Sequence, residues 1–169
     1  MTIPSDSERR ERYALARASI RALLEDETDW IAALATIVAE LHNALPYFDW
    51  TGFYRVLAPE SLVIGPYQGG HGCLRISFAR GVCGAAAREQ STQLVHDVSL
   101  RADHIACATT TQSEIVVPVL SPKGAVLAVL DADSNTLAAF NAIDREELEA
   151  VCAELGRRFP NGDPTRIVG

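Results

Sequence analysis

The sequence predicts a single α+β domain: a central, mostly antiparallel β-sheet of about six strands, with N- and C-terminal helices packed on it. The chain has 169 residues, which suits one compact domain. Hydrophobic residues make up 48% and charged residues 22%, the values of a globular protein. Apolar residues recur at helical spacing near both ends, whereas β-branched runs fill the middle.

Two helices are predicted before residue 46. Ser5 and Glu8 have the spacing of a capping box, and apolar residues follow every third or fourth position. The second helix starts at Thr28 or Asp29. It ends before Pro46, because proline disfavours helix in the preceding residue and lacks the backbone donor.

The middle of the chain alternates strands with turns. The predicted strands are 50–57, 62–68, 73–76, 93–95, 114–120 and 125–132. Three glycines make 69–72 a loop, and a short helix is predicted at 85–90. Residues 96–112 have weak periodicity and are predicted to be a loop with one helical turn. The last helix begins near Asn141, and its apolar face includes Cys152.

Composition excludes several kinds of partner. The net charge of −7 argues against nucleic acid, which requires a basic face. No apolar run approaches the ~20 residues of a membrane span. The N-terminus lacks the basic-then-apolar order of a secretion signal, so we expect a cytoplasmic protein without a structural disulfide framework.

Cys73, Cys83 and Cys107 lie in the irregular middle of the chain. Each is either a small buried hydrophobe or a reactive thiol. Cys83 precedes a predicted helix, whose positive end favours a thiolate. Zinc ligation by these thiols with His71 and His104 is disfavoured, because no C-x-x-C or H-x-x-x-H pair is present. We therefore expect no metal.

Carboxylates form a second constellation. Asp131 and Asp133, two apart on one strand, share a face, and a hairpin brings Glu114 to the same edge. Repulsion and burial would raise at least one pKa towards neutrality, unless all three are simply solvated strand-end residues. Trp50 and Tyr54 also share one strand face, either as core residues or as a binding wall.

Taken together, these residues resemble the free methionine-(R)-sulfoxide reductases, which are built on a GAF domain. The matching segments are 49–54, 65–69, 73–76, 80–84, 92–93, 97–98, 104–107, 113–118 and 130–134. The chain departs from the family pattern at Ala108, where an aspartate is usual, at His71-Gly72 and at 99–103. These departures bear on substrate preference and rate more than on the type of chemistry.

The resemblance implies roles for the three cysteines. Cys107 would be the catalytic thiol, Cys73 the main resolving thiol and Cys83 an alternative resolving thiol. The family mechanism passes through a sulfenic acid and an intramolecular disulfide that thioredoxin recycles. No bound cofactor is expected, and thioredoxin would be the external reductant.

The resemblance also implies the substrate pocket and the domain limits. Glu114, Asp131 and Asp133 would line the pocket and take part in catalysis, while Trp50 and Tyr54 would cage the S-methyl group of free methionine sulfoxide. Residues 1–46 would be N-terminal helices of the same domain, 47–160 the GAF core with its C-terminal helix, and 161–169 a tail. The first helix packs on this domain or on a second copy, giving a homodimer. The alternative function is a non-catalytic GAF module that binds a small ligand or senses redox state.

Overall fold

The computed structural model describes residues 3–101 and 110–165. Its elements in chain order are α1 (Asp6–Leu23), α2 (Trp30–Ala44), β1 (Trp50–Ala58), β2 (Ser61–Gln68), β3 (Arg75–Ser77), α3 (Gly81–Glu89), β4 (Gln93–Val95), a 3-10 turn (Val98–Leu100), β5 (Ser113–Leu120), β6 (Val126–Ser134) and α4 (Ala142–Arg158). The predicted α+β class is confirmed.

The strands form one six-stranded sheet in the order β3-β2-β1-β6-β5-β4, and every neighbouring pair is antiparallel. Helices α1, α2 and α4 cover one face and enclose the larger hydrophobic core. Helix α3 covers the other face, over a smaller cluster that includes Trp50, Tyr54 and Cys83. We call this second side the α3 face.

Capping side chains define the helix starts that the sequence predicts. Ser5 and Glu8 form the capping box of α1, and Asp29 accepts a backbone hydrogen bond at the start of α2. Asn141 caps α4, with Asp144 completing a second capping box. Helix α1 packs on α2 and α4 of its own chain.

Helix α3 begins at Gly81, four residues before the predicted start. At Gly84 an added Cβ would lie 2.5 Å from the carbonyl oxygen of Ser77, so glycine allows the helix to rest directly on backbone. Packing therefore outweighs the low helix propensity of glycine.

Two strand boundaries differ from the prediction by two residues, and both matter to the site. Strand β3 is Arg75–Ser77, because these residues pair with the edge of β2; Cys73 consequently lies in the preceding loop. Strand β6 continues to Ser134, which places Asp131 and Asp133 inside the ladder. Among the described helices, none combines the length and apolar character needed to cross a bilayer.

Candidate functional site

The register of the sheet brings the predicted acids together on the α3 face. Glu114 lies opposite Asp133, and Asp133 in turn lies opposite Trp50, so one row runs across three strands. Asp131 is two residues from Asp133 and therefore points to the same face. The predicted hairpin and its crowding of carboxylates are thus observed in the structure.

A thiol completes this group. The Cys83 thiol of α3 donates a hydrogen bond of 3.3 Å to Oδ2 of Asp131. Donor atoms of Cys83, Glu114 and Asp131 all lie within 4.8 Å of one another, and all three residues are buried. We call these three residues the carboxyl–thiol cluster; Asp133 lies half-buried beside it.

Burial dominates the electrostatics of this cluster. It raises the pKa of Asp131 to about 7, an effect that the hydrogen bond from Cys83 partly opposes. The pKa of Asp133 is raised by burial and then by the negative charges of Asp131 and Asp49. A carboxyl group that keeps its proton near neutral pH is what a general acid requires.

Cys83 does not behave as its position before a helix suggested. Burial, followed by the neighbouring charge of Asp131, raises the pKa of its thiol well above the usual value. Both effects favour the protonated thiol, which is opposite to the thiolate expected at the start of a helix. Cys83 remains a protonated donor to Asp131 at neutral pH.

An aromatic wall flanks the acids. Trp50 stacks on Tyr54 at 5.9 Å between ring centroids and on Tyr67 at 5.5 Å. Burial raises the pKa of the Tyr54 hydroxyl, which therefore stays protonated. Trp50 and Tyr54 are both buried, whereas Tyr67 is partly exposed. The wall thus extends from the interior to the surface.

Two glycines permit this arrangement, and the sequence reasoning did not assign them to the site. A Cβ at Gly52 would lie 2.4 Å from the Trp50 ring. A Cβ at Gly72 would approach both Trp50 and the Tyr54 hydroxyl at 3.0 Å. The sequence does contain a signal for Gly52, because a glycine inside an apolar strand often marks a place where another group packs closely against the backbone.

Asp49 is another residue that the sequence reasoning did not use. Its carboxylate accepts hydrogen bonds from the Asn135 backbone at 2.7 Å and from the Ser134 hydroxyl at 3.3 Å. These contacts tie the start of β1 to the end of β6. They hold Trp50 and Asp133, which lie opposite each other, in register.

The cysteines divide clearly in the described part of the chain. Cys73 is disulfide-bonded and half-buried against the α3-face cluster. Cys83 and Cys152 are buried free thiols. Cys107 and His104 lie outside the described residues. The predicted role of Cys107 therefore remains a prediction.

Comparison with known proteins gives a consistent result. Residues 16–157 match the GAF domain family. A free methionine-R-sulfoxide reductase of Escherichia coli is 38% identical over 153 residues, covering 90% of this chain and 92% of that protein. The X-ray structure of a free methionine-R-sulfoxide reductase from Neisseria meningitidis, in complex with its substrate, is 42% identical with a TM-score of 0.81, covering 92% of both chains.

A crystal structure described as a putative GAF sensor protein from Burkholderia vietnamiensis is similar to a comparable degree. It is 39% identical with a TM-score of 0.84, covering 89% of this chain and 94% of that one. All three proteins match this chain over most of their own length, and two of the three carry the same reductase name. The chain belongs to the GAF domain family and, within it, to the free methionine-R-sulfoxide reductases.

Proposed function

We propose that this protein reduces free L-methionine (R)-S-oxide to methionine by thiol chemistry. The observation that carries the proposal is a buried carboxyl group with a pKa of about 7, Asp131, on the same face as the disulfide-bonded Cys73. An acid and a redox-active cysteine are the two groups that sulfoxide reduction requires. The reductase names of the relatives support the same activity.

The first step transfers oxygen from the substrate to the enzyme. The carboxyl group of Asp131 or Asp133 donates a proton to the sulfoxide oxygen, which makes the sulfur electrophilic. The thiolate of Cys107 attacks that sulfur. This attack forms a sulfur–sulfur bond, and the protonated oxygen leaves as hydroxide. Attack of that hydroxide on the Cys107 sulfur breaks the sulfur–sulfur bond, releases methionine and leaves Cys107 as a sulfenic acid, so sulfur in the substrate is reduced as the cysteine is oxidised.

The second step regenerates the thiol. Cys73 attacks the sulfenic acid of Cys107, forming a disulfide and releasing water. The disulfide-bonded state of Cys73 supports its role as a resolving thiol. Cys83 is the weaker resolving candidate, because its thiol is buried, has a raised pKa and donates to Asp131.

Reduction by an external dithiol closes the cycle. Thioredoxin attacks the disulfide and leaves both cysteines reduced, which returns the enzyme to its starting state. The partly exposed position of Cys73 supports this exchange, since the attacking thiolate needs access to one sulfur. This cycle requires a reducing compartment, and we propose the cytoplasm.

The carboxyl groups of the pocket support a free amino acid as substrate. Oxygen atoms of Glu114, Asp131 and Asp133 can accept hydrogen bonds from an α-ammonium group, which peptide-bound methionine lacks. Trp50 and Tyr54 provide an apolar wall for the S-methyl end.

The test is turnover of racemic free methionine sulfoxide with thioredoxin and its reductase. We expect consumption of the R isomer alone, and little turnover of an oxidised methionine peptide. Cys107→Ser should abolish the reaction, and Cys73→Ser should allow a single turnover without recycling. Cys152→Ala, in the core on the opposite face of the sheet, is the matched control and should remain active.

Some outcomes would contradict the proposal. Wild-type turnover in Cys107→Ser would show that another group is the nucleophile. Equal turnover of the oxidised peptide would show that the ammonium group is not recognised. If the wild-type protein binds the sulfoxide without consuming it, the chain is a ligand-binding GAF module.

A further inference from the structure

The carboxyl–thiol cluster has the composition of a metal-binding site. One sulfur and two carboxyl groups converge from three different elements: Cys83 from α3, Glu114 from β5 and Asp131 from β6. All three residues are buried, so the surrounding core restricts the positions of their donor atoms. Sequence spacing gives no sign of this set, since its members lie far apart along the chain.

The separations suit a small tetrahedral ion. With Zn–S of about 2.3 Å and Zn–O of about 2.1 Å, tetrahedral angles place neighbouring donor atoms about 3.5 Å apart. The Sγ atom of Cys83 lies 3.3 Å from Oδ2 of Asp131. The remaining donors lie within 4.8 Å, a distance that small side-chain rotations can shorten.

A second observation points to a cationic ligand. Oδ1 of Asp131 is buried and makes no hydrogen bond. A buried acceptor without a partner costs free energy, and a ligand that satisfies it recovers that cost. Among residues 3–101 and 110–165, neither Asp131 nor Asp133 takes part in the ion pairs found.

We propose that Cys83, Glu114 and Asp131 bind Zn²⁺, with water in the fourth position, and that the bound ion excludes the sulfoxide from the pocket. A thiolate ligand favours Zn²⁺ over Mg²⁺ and Ca²⁺, which prefer oxygen. Binding exchanges the S–H bond of Cys83 for an S–Zn bond and releases the thiol proton, together with the carboxyl proton of Asp131 wherever that group is protonated. The ion is an inhibitor here, not a cofactor, and the exclusion of substrate rests on the proposed function.

Direct metal binding can be measured without turnover. Co²⁺ replaces Zn²⁺ as a spectroscopic probe, because a cobalt–thiolate bond gives a charge-transfer absorption band. The background is the full chain carrying Cys73→Ser and Cys107→Ser, in which only Cys83 and Cys152 remain as thiols. We expect a charge-transfer band that Zn²⁺ abolishes by displacement.

Matched variants in that background identify the ligands. Adding Cys83→Ser should remove the band, whereas adding Cys152→Ser should leave it unchanged, since Cys152 lies in the opposite core. Glu114→Gln should weaken Co²⁺ binding by at least about tenfold, as loss of even an outer-shell partner does. Circular dichroism of each variant checks that the fold persists.

The outcomes separate this site from the proposed activity. Absence of the band in the background protein, or a band that survives loss of Cys83, overturns the metal site. In the active wild-type enzyme, Zn²⁺ should inhibit competitively with methionine sulfoxide, and a chelator should restore the rate. A cobalt band would support the metal site even if added sulfoxide did not relieve the inhibition by Zn²⁺. That second result would overturn the proposal that the ion excludes the substrate.

Discussion

The proton on Asp131 links the proposed chemistry to stability. An unfolded aspartate titrates near pH 3.9, whereas burial raises the pKa of Asp131 to about 7 in the folded protein. Between these values the folded state binds the extra proton, so the free energy of unfolding falls as pH rises. Above pH 7 the buried Asp131 is charged, and this lowers the free energy of unfolding by about a few kcal/mol relative to acidic pH.

Asp131→Asn should therefore stabilise the protein at pH 8.5 and change little at pH 5, where the native carboxyl is already protonated. The measurement is the melting temperature at both values in buffer containing a chelator. A relief of 1 kcal/mol corresponds to about 2–4 °C for a domain of this size. The control is Asp26→Asn, at an exposed position, which should shift the melting temperature equally at both values. A fall in melting temperature at pH 8.5 would contradict the assigned direction.

At the residue scale, the sequence predicts correctly which acidic side chains share a face of the sheet. Asp131 and Asp133 share a face because side chains on a strand point alternately to its two sides, and the predicted hairpin pairs Glu114 with Asp133 on that face. The sequence-based prediction fails at Cys83, whose protonation depends on burial between α3 and β6. Burial of that kind comes from tertiary packing, which no local spacing encodes.

Helix α4 meets the sheet through one glycine. A Cβ at Gly156 would lie 2.0 Å from the carbonyl oxygen of Leu120, at the end of β5. Alanine is the better helix former by about 1 kcal/mol, so propensity alone predicts that Gly156→Ala stabilises the protein. The contact with Leu120 predicts instead that Gly156→Ala destabilises the protein. The added Cβ would clash with backbone, so the whole helix would have to move.

We expect Gly156→Ala to lower the free energy of unfolding by about 2 kcal/mol, as overpacking does. Urea denaturation measures the change. Ala153→Gly, at an exposed position of the same helix, is the control and should lower it by about 1 kcal/mol through propensity alone. A stabilised Gly156→Ala would show that α4 does not rest on Leu120.

The N-terminal helix is joined to α4 by a buried polar network around Asp144. Its carboxylate forms an ion pair with Arg9 and accepts hydrogen bonds from the hydroxyls of Tyr13 at 2.9 Å and Tyr47 at 2.5 Å. Arg9 also donates to the Ala139 carbonyl at 2.8 Å. Removing one member leaves a buried charge without its partner, which costs about 3–5 kcal/mol.

Asp144→Ala should therefore lower the urea midpoint far more than Glu146→Ala in the same helix. Glu146 pairs with Arg10 at 3.5 Å on the surface, and exposed pairs of this kind contribute about 0–1 kcal/mol. Similar effects of the two substitutions would contradict the structural role of the buried pair.

The elements were predictable to the extent that their signals are local. The capping residues Ser5 and Asn141 mark the starts of α1 and α4, because a cap is a contact within a few residues. The predicted start of α3 is four residues too late, because the true start depends on the contact between Gly84 and the backbone of Ser77. The predicted start of β3 is two residues too early, because pairing with β2 decides which residues form the strand.

At the scale of the whole molecule, the sheet separates a thick layer from a thin one. Three helices of 15 to 18 residues cover one face, whereas the 9-residue α3, which contains Gly81 and Gly84, covers the other. The buried cluster on the α3 face is also the smaller of the two among the described residues. Less buried apolar area means a smaller free energy of local opening.

Hydrogen exchange of the native, reduced protein should show this asymmetry. We expect the amides of α3 to exchange through openings of lower free energy than those of α2 and α4, while the central strands β1 and β6, shared by both layers, are protected most. The thin layer carries Cys83 and covers the acids, so its opening would admit a ligand without unfolding the thick core. Protection of α3 equal to that of α4 would mean that the protein opens only as a whole, and a ligand would then have to enter through another part of the pocket.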